Sequence, residues 1–298
     1  MNSVPYAFFE ALCCQLNRSD LDKLKKTSGG WSTVAAIHHS KRRYLHLDLN
    51  ANTEGTQVGI GFKDMNYNAY EMTYDEKYDW IVGIYVGHAA MSSLPEEVSL
   101  ERFRRKVLPA LQSLIHGWML RFVSANIPQN LADSIFSGLH GCGQLIRMCI
   151  INYGGRCAEF VEHQISLGHL ESLSLRGDAW PDTIKASLKS FLRSPKYEGL
   201  YINGSNLTLD YDMADSFIER FLKEHSTGTR YLRGKPSFSI AQLRDLHMNE
   251  RRKRRRSWKR HDILAKWRGP NESELQVIRK NKDELWFGRN DSDALWIS

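Results

Sequence analysis

A chain of 298 residues, 42% of them hydrophobic, buries on the order of 75% of the surface its unfolded form exposes, so a folded protein is expected. Its net charge of +7 and isoelectric point of about 9.1 have one source. Arg251, Arg252, Lys253, Arg254, Arg255, Arg256, Lys259 and Arg260 lie within ten residues and outweigh the whole positive balance, so the surface as a whole is not built for a nucleic-acid backbone. No stretch approaches the length of a membrane span, and the opening residues lack a basic region followed by an apolar run. The expectation is a cytoplasmic or nuclear protein with no membrane partner. Cys13, Cys14, Cys142, Cys149 and Cys157 are odd in number and sit among apolar neighbours. A secreted disulfide scaffold would be denser and evenly paired, so they are expected to be reduced core residues.

Residues 1–43 predict three short helices. Ser3 is placed to cap the first, Pro5 suits an opening turn, and Phe8, Phe9, Leu12 and Leu16 form an apolar stripe. Ser19 and Asp20 mark a second start, followed by Leu21 and Leu24. Gly29-Gly30 breaks that helix before Trp31, Val34 and Ile37 begin a third. A module this small exposes apolar surface, which must meet either a partner or the chain's own core. Over 44–99, Leu45, Leu47 and Leu49 alternate, then Val58, Ile60 and Phe62, then the run from Trp80 to Val86. That period predicts an antiparallel β meander of three or more strands.

Between 100 and 240 an amphipathic helix leading into a short strand recurs. The strand-like pieces are 120–123, 146–150, 170–175, 197–202 and 229–232, with Phe122, Met148, Leu173, Leu200 and Leu232 as equivalent anchors. Their steps of 26, 25, 27 and 32 residues fall within or just beyond the leucine-rich-repeat range. Helical patterns at 130–139, 157–167, 181–192 and 213–222 place apolar groups at spacings of three and four. The expected architecture is α/β: a helical module, a β meander, and an irregular leucine-rich-repeat-like solenoid with helices on its convex side. An ordinary doubly wound sheet remains the alternative. Asn126, Asn152 and Asn203 follow three of the anchors and suggest a partial asparagine ladder. Residues 241–269 are expected to form a basic helical segment, and 270–298 a β cap with strands at 275–277, 285–287 and 295–297.

The run Val4-Pro5, Leu12, Leu16, Asp20-Leu21, Leu24 and Trp31 resembles a divergent F-box, the helical motif that docks substrate receptors onto the Skp adaptor of cullin-type ubiquitin ligases. The opening Met1-Asn2-Ser3-Val4-Pro5-Tyr6 and the repeat-like body are similar to the nematode expansions of F-box-related proteins. The resemblance implies an adaptor-binding surface of Val4, Pro5, Phe8, Phe9, Leu12, Leu16, Leu21, Leu24 and Trp31. It further implies that the repeats hold a target protein for ubiquitin transfer. The competing expectation is that Phe8, Leu12, Leu16, Leu21 and Trp31 dock the N-terminus onto the chain's own core.

Signatures of common enzymes are missing from their required strand-to-helix contexts. The run Gly138 to Gly143 has glycines but no Walker lysine and serine, which suits a turn between helix and strand. The cysteines lack paired knuckle spacing, so no metal or other cofactor is expected. Adjacent His38 and His39 diverge around a helix axis and are expected at the surface. The chain is therefore expected to be non-enzymatic. Its basic run suits nuclear import or, with Trp258 and Trp267 as stacking groups, a nucleic-acid contact. A solvated helix whose long stems cover apolar surface is the plainer expectation. A scaffold without ligase association is the remaining alternative.

Overall fold

Pro5 and Gly29 bound the first helices in the computed structural model, which describes residues 5–65, 74–223, 230–245, 262–269, 273–281 and 284–289. Pro5 is extended, with φ −60° and ψ 144°, and α1 (Tyr6–Gln15) follows it. α2 (Arg18–Leu24) starts one residue before the expected Ser19. The side-chain oxygen of Asn17 accepts the backbone N–H of Asp20 at 2.9 Å, so Asn17 is the cap. At Gly29 φ is 91°, a left-handed value that favours glycine, and α3 (Gly30–Lys41) begins at the next residue. The expected cap Ser3 lies outside the described residues.

The chain divides into two compact units: residues 1–118 with 126–131, and residues 119–125 with 132–298. In the first, the three helices enclose Phe9, Cys13, Leu21, Val34 and Ala35, with Leu16, Leu24 and Trp31 packed against them. β1 (Arg43–Ala51) pairs antiparallel with β2 (Gln57–Asp64), and β4 (Glu96–Ser99) pairs antiparallel with β2. β3 (Asp79–Val86) lies on the other side of β1 and runs parallel to it. The order β3-β1-β2-β4 corrects the expected antiparallel meander. Two features account for it. The connection from Asp64 to Asp79 is long enough to pass the start of β1, and Arg43 forks onto Asp79 at 2.8 and 2.6 Å, joining the two strand starts at one end.

A helical stretch follows β4: α4 (Leu100–Arg102), a π-helical turn over Phe103–Val107, and α5 (Leu108–Leu114), with a proline in the first turn of α5. β5 (Ile115–Phe122) then carries the chain from the first unit into the second.

The second unit shows the recurring pattern. Helices α6 (Gln129–Leu139), α7 (Cys157–Ser166), α8 (Ile184–Arg193) and α9 (Tyr211–Lys223) alternate with β6 (Leu145–Ile151), β7 (Ser172–Arg176), β8 (Gly199–Tyr201) and β9 (Tyr231–Gly234). These four strands are parallel, and the anchors lie in register: Met148 opposite Leu173, Leu173 opposite Leu200, Leu200 opposite Leu232. All four are buried, as are Phe136, Phe160, Leu188 and Phe217 on the helices. The partial asparagine ladder is built differently from expectation. Asn152 donates to the Asp178 carbonyl at 3.1 Å, but the next rung is Asn206, not Asn203, in a reciprocal pair with Trp180 at 3.0 and 2.9 Å.

After α10 (Ile240–Asp245), β10 (Asp262–Arg268), β11 (Glu274–Asn281) and β12 (Glu284–Arg289) form an antiparallel set, and β12 pairs antiparallel with β9. The tail therefore continues the sheet past β9, and of the three expected tail strands that at 295–297 lies outside the described residues. The helical expectation for 241–269 fails over Asp262–Arg268. Ala265 and Trp267 alternate inward there and pair with Val277 and Leu275, a period of two.

Gly199 shows how closely the strands of this unit approach. A β-carbon there would fall within the ring of Tyr231, whose hydroxyl crosses to Ser172 at 2.9 Å. Gly199→Ala must push that ring aside and is expected to cost about 1–3 kcal/mol. Gly141→Ala, with open space around it, is expected to stay within about 0.5 kcal/mol of the parent. Urea unfolding of both variants checks the contrast.

Candidate functional site

The stripe expected on α1 divides between two faces. Phe9 is buried and its ring centroid lies 4.2 Å from that of Trp31, whereas Phe8, 6.1 Å from Trp31 and edge-on, is 54% exposed. Leu12, one turn beyond Phe8, is 36% exposed. Of the other expected adaptor contacts, Leu21 is fully buried, Leu16, Leu24 and Trp31 are partly buried, Pro5 is exposed, and Val4 lies outside the described residues. The two expectations for this module thus apply to different residues. Phe9 and Leu21 serve the chain's own core, and Phe8 and Leu12 form the outward face.

That face is held by polar contacts on the opposite side of α1. Glu10 accepts from Lys77 at 2.5 Å and from His38 Nε2 at 3.1 Å. The Lys77 ammonium, then Tyr6 and His38, hold the Glu10 carboxyl down to about 2, against the penalty of burial. An ionised carboxylate only accepts, so His38 Nε2 is the donor. Burial pushes the His38 imidazole below its ordinary value. His38 is thus a fully buried ring rather than the expected surface residue, because the last turn of α3 packs its inner side on α1 and Tyr78. His39 points outward, 3.7 Å from Asp22. Arg42, 3% exposed, donates to the carbonyls of Cys13 at 2.8 Å, Cys14 at 3.2 Å and Tyr78 at 3.2 Å, and lies 4.3 Å from the Trp80 ring.

The second candidate is the face of β6–β9 turned away from the helices. It is read directly from the anchors. One position after each come Cys149, Ser174, Tyr201 and Arg233, and one before come Arg147, Ser172, Gly199 and Tyr231. Arg147 meets Glu198 at 3.6 Å, both near half exposure. Arg233 is paired with the buried Glu284 and lies 4.9 Å from the Tyr201 ring. Arg176 lies 5.8 Å from the same ring. Ser174 is 95% buried and, among the described residues, its hydroxyl has no hydrogen-bond partner.

No family model matches the chain, and no curated protein sequence matches it.

Among the described residues no three His, Cys, Asp or Glu side chains come together as metal ligands. Burial pushes the Cys157 thiol up to about 12 and raises those of Cys13, Cys14 and Cys142, which disfavours the thiolates that attack or ligate. Gly138 and Leu139 end α6, and residues 140–144 turn into β6, where His140 stacks on His163 at 3.8 Å. A hollow of about 440 Å³ lies between the Gly55 turn and α4 in the first unit, but its Arg105 is already 3.2 Å from Glu101. The basic residues Arg251, Arg252, Lys253, Arg254, Arg255, Arg256, Lys259 and Arg260, with Trp258, lie outside the described residues. Trp267 is fully buried, so it is not the stacking group expected of it.

Sequence reasoning missed Glu10 and Arg42. A charged residue inside an otherwise apolar first helix, and an arginine at the junction of a helix and a strand, were the available signals. Arg42→Met removes the guanidinium donors to the carbonyls of Cys13, Cys14 and Tyr78, of which those of Cys13 and Tyr78 keep a backbone N–H, and is expected to cost about 1–3 kcal/mol in denaturant unfolding. Because the folded value of Glu10 is depressed, its contribution is present above the unfolded carboxylate value and is lost as pH falls through about 2. Glu10→Gln is therefore expected to lose stability at neutral pH and to converge on the parent in strong acid, as measured by urea unfolding at a series of pH values.

Proposed function

We propose that the chain is a non-enzymatic target-recognition subunit of a Skp-cullin-F-box type ubiquitin ligase. In this reading α1 meets the Skp-type adaptor, and the second unit is an irregular leucine-rich-repeat-like solenoid whose open sheet face presents a target protein. The observation that carries it is the division of α1: Phe8 and Leu12 stand outward one turn apart while Phe9, Cys13 and Leu21 close the interior. A helix that needed only to cover its own core would have no use for an aromatic residue 54% exposed beside a leucine on the same face. No residue is assigned catalysis, and the working compartment is the cytosol or nucleus, where cullin ligases act.

Co-purification of the intact chain with purified Skp adaptor tests the reading. Phe8→Asp with Leu12→Asp alters exposed positions only and is expected to weaken binding more than tenfold while circular dichroism and the unfolding midpoint stay close to the parent. Leu16 and Leu21 are unsuited to this test because they belong to the core. A well-folded parent that fails to bind the adaptor would overturn the reading in favour of a scaffold without ligase association.

A further inference from the structure

The open face of β6–β9 carries three guanidiniums, and they are not equivalent. Arg147 has Glu198 and Arg233 has Glu284. Among the described residues Arg176 has no carboxylate partner. It stands on β7 two positions beyond Ser174, in line with Ile151 of β6, and Tyr201 stands on β8 opposite both Ser174 and Arg233. Arg176, Tyr201, Arg233 and the buried hydroxyl of Ser174, unpartnered among the described residues, therefore gather hydrogen-bond donors on one stretch of sheet. Arg176 and Arg233 against Glu284 leave one net positive charge there.

We propose that this stretch seats a glutamate or aspartate side chain of an extended protein segment, with its carboxylate on the fork of Arg176 beside Tyr201. The inference rests on the target-presenting role given above to the same face. Charge balance selects the anion. One carboxylate neutralises the single excess cation, whereas a phosphate dianion would leave the stretch negative next to the buried Glu284. Geometry agrees, because a planar guanidinium binds a carboxylate through two parallel N–H donors, and a shallow sheet face admits an extended chain whose alternate side chains point inward.

The test titrates the full chain into a fluorescein-labelled decapeptide of alternating glutamate and serine and follows anisotropy. The eight Lys and Arg between 251 and 260 are replaced by glutamine throughout, so that they cannot bind the probe. Arg176→Gln is expected to weaken binding at least tenfold and Arg147→Gln to change it less than twofold. A peptide with glutamine in place of glutamate is expected not to bind. Failure of the unsubstituted face to bind the glutamate peptide, or binding of a phosphoserine decapeptide alone, would overturn the proposal. If Arg176→Gln binds as well as its parent while Tyr201→Ala loses tenfold, the carboxylate seat falls and the presenting face stands. If neither substitution weakens binding, both fall. Circular dichroism of each variant confirms that it is folded.

Discussion

A guanidinium taken out of water must find acceptors for its N–H groups, and in the first unit that requirement fixes how helices and strands join. Arg42 sits between the last residue of α3 and the first of β1, and it is almost wholly buried. At the end of α1 the Cys13 carbonyl accepts the Leu16 backbone N–H at 3.3 Å, and Arg42 supplies further donors to the carbonyls of Cys13 and Cys14. It also reaches the Tyr78 carbonyl ahead of β3 and faces the Trp80 ring. One cation thus ties the end of the first helix to the strand pair β1 and β3. Residues 1–43 consequently form a part of a larger unit, and the outward face of α1 is presented by a braced helix, not by a free-standing three-helix module.

The second unit obeys a different constraint. Its parallel strands need helical crossovers, and those helices cover only the face that carries Met148, Leu173, Leu200 and Leu232. The aromatic side chains continue that layer: Phe136 beside Phe160 at 5.2 Å, Tyr197 beside Phe217 at 6.1 Å, and Phe217 beside Phe287 at 6.1 Å. Parallel sheets ordinarily bury both faces. Here the other face carries arginines, serines and tyrosines at the alternate positions, and polar side chains keep it compatible with water.

That alternation explains why so much of the second unit was legible in the sequence. A period of two fixes strand faces, a period near 3.6 fixes helix faces, and steps of about 26 residues fix the register. Four of the five anchors, Met148, Leu173, Leu200 and Leu232, therefore lie opposite one another on neighbouring strands. Direction and long-range pairing were not legible. Nothing local distinguishes an antiparallel return from the parallel placement of β3, which depends on the Arg43–Asp79 fork between residues distant in sequence. The strand Asp262–Arg268 was read as helix because neighbouring arginines and lysines masked the inward alternation of Ala265 and Trp267. In the candidate sites, an apolar stripe marked α1 but could not separate Phe8 from Phe9. That division depends on where Trp31 packs.

Stability alone does not account for the polar face of β6–β9. Glu284 is buried and needs Arg233 to offset its lost hydration, and such pairs contribute little net stability compared with apolar residues of similar volume. Among the described residues the buried hydroxyl of Ser174 has no partner, which costs about 1–3 kcal/mol, where an alanine would fit without penalty. Arg176 keeps a cation beside Tyr201 with no carboxylate among the described residues to neutralise it. Each choice breaks a rule that the opposite face of the same strands follows at every anchor. Departures from local folding rules concentrate where side chains serve binding, and these three fall within the strand run β7-β8-β9-β12 of the sheet.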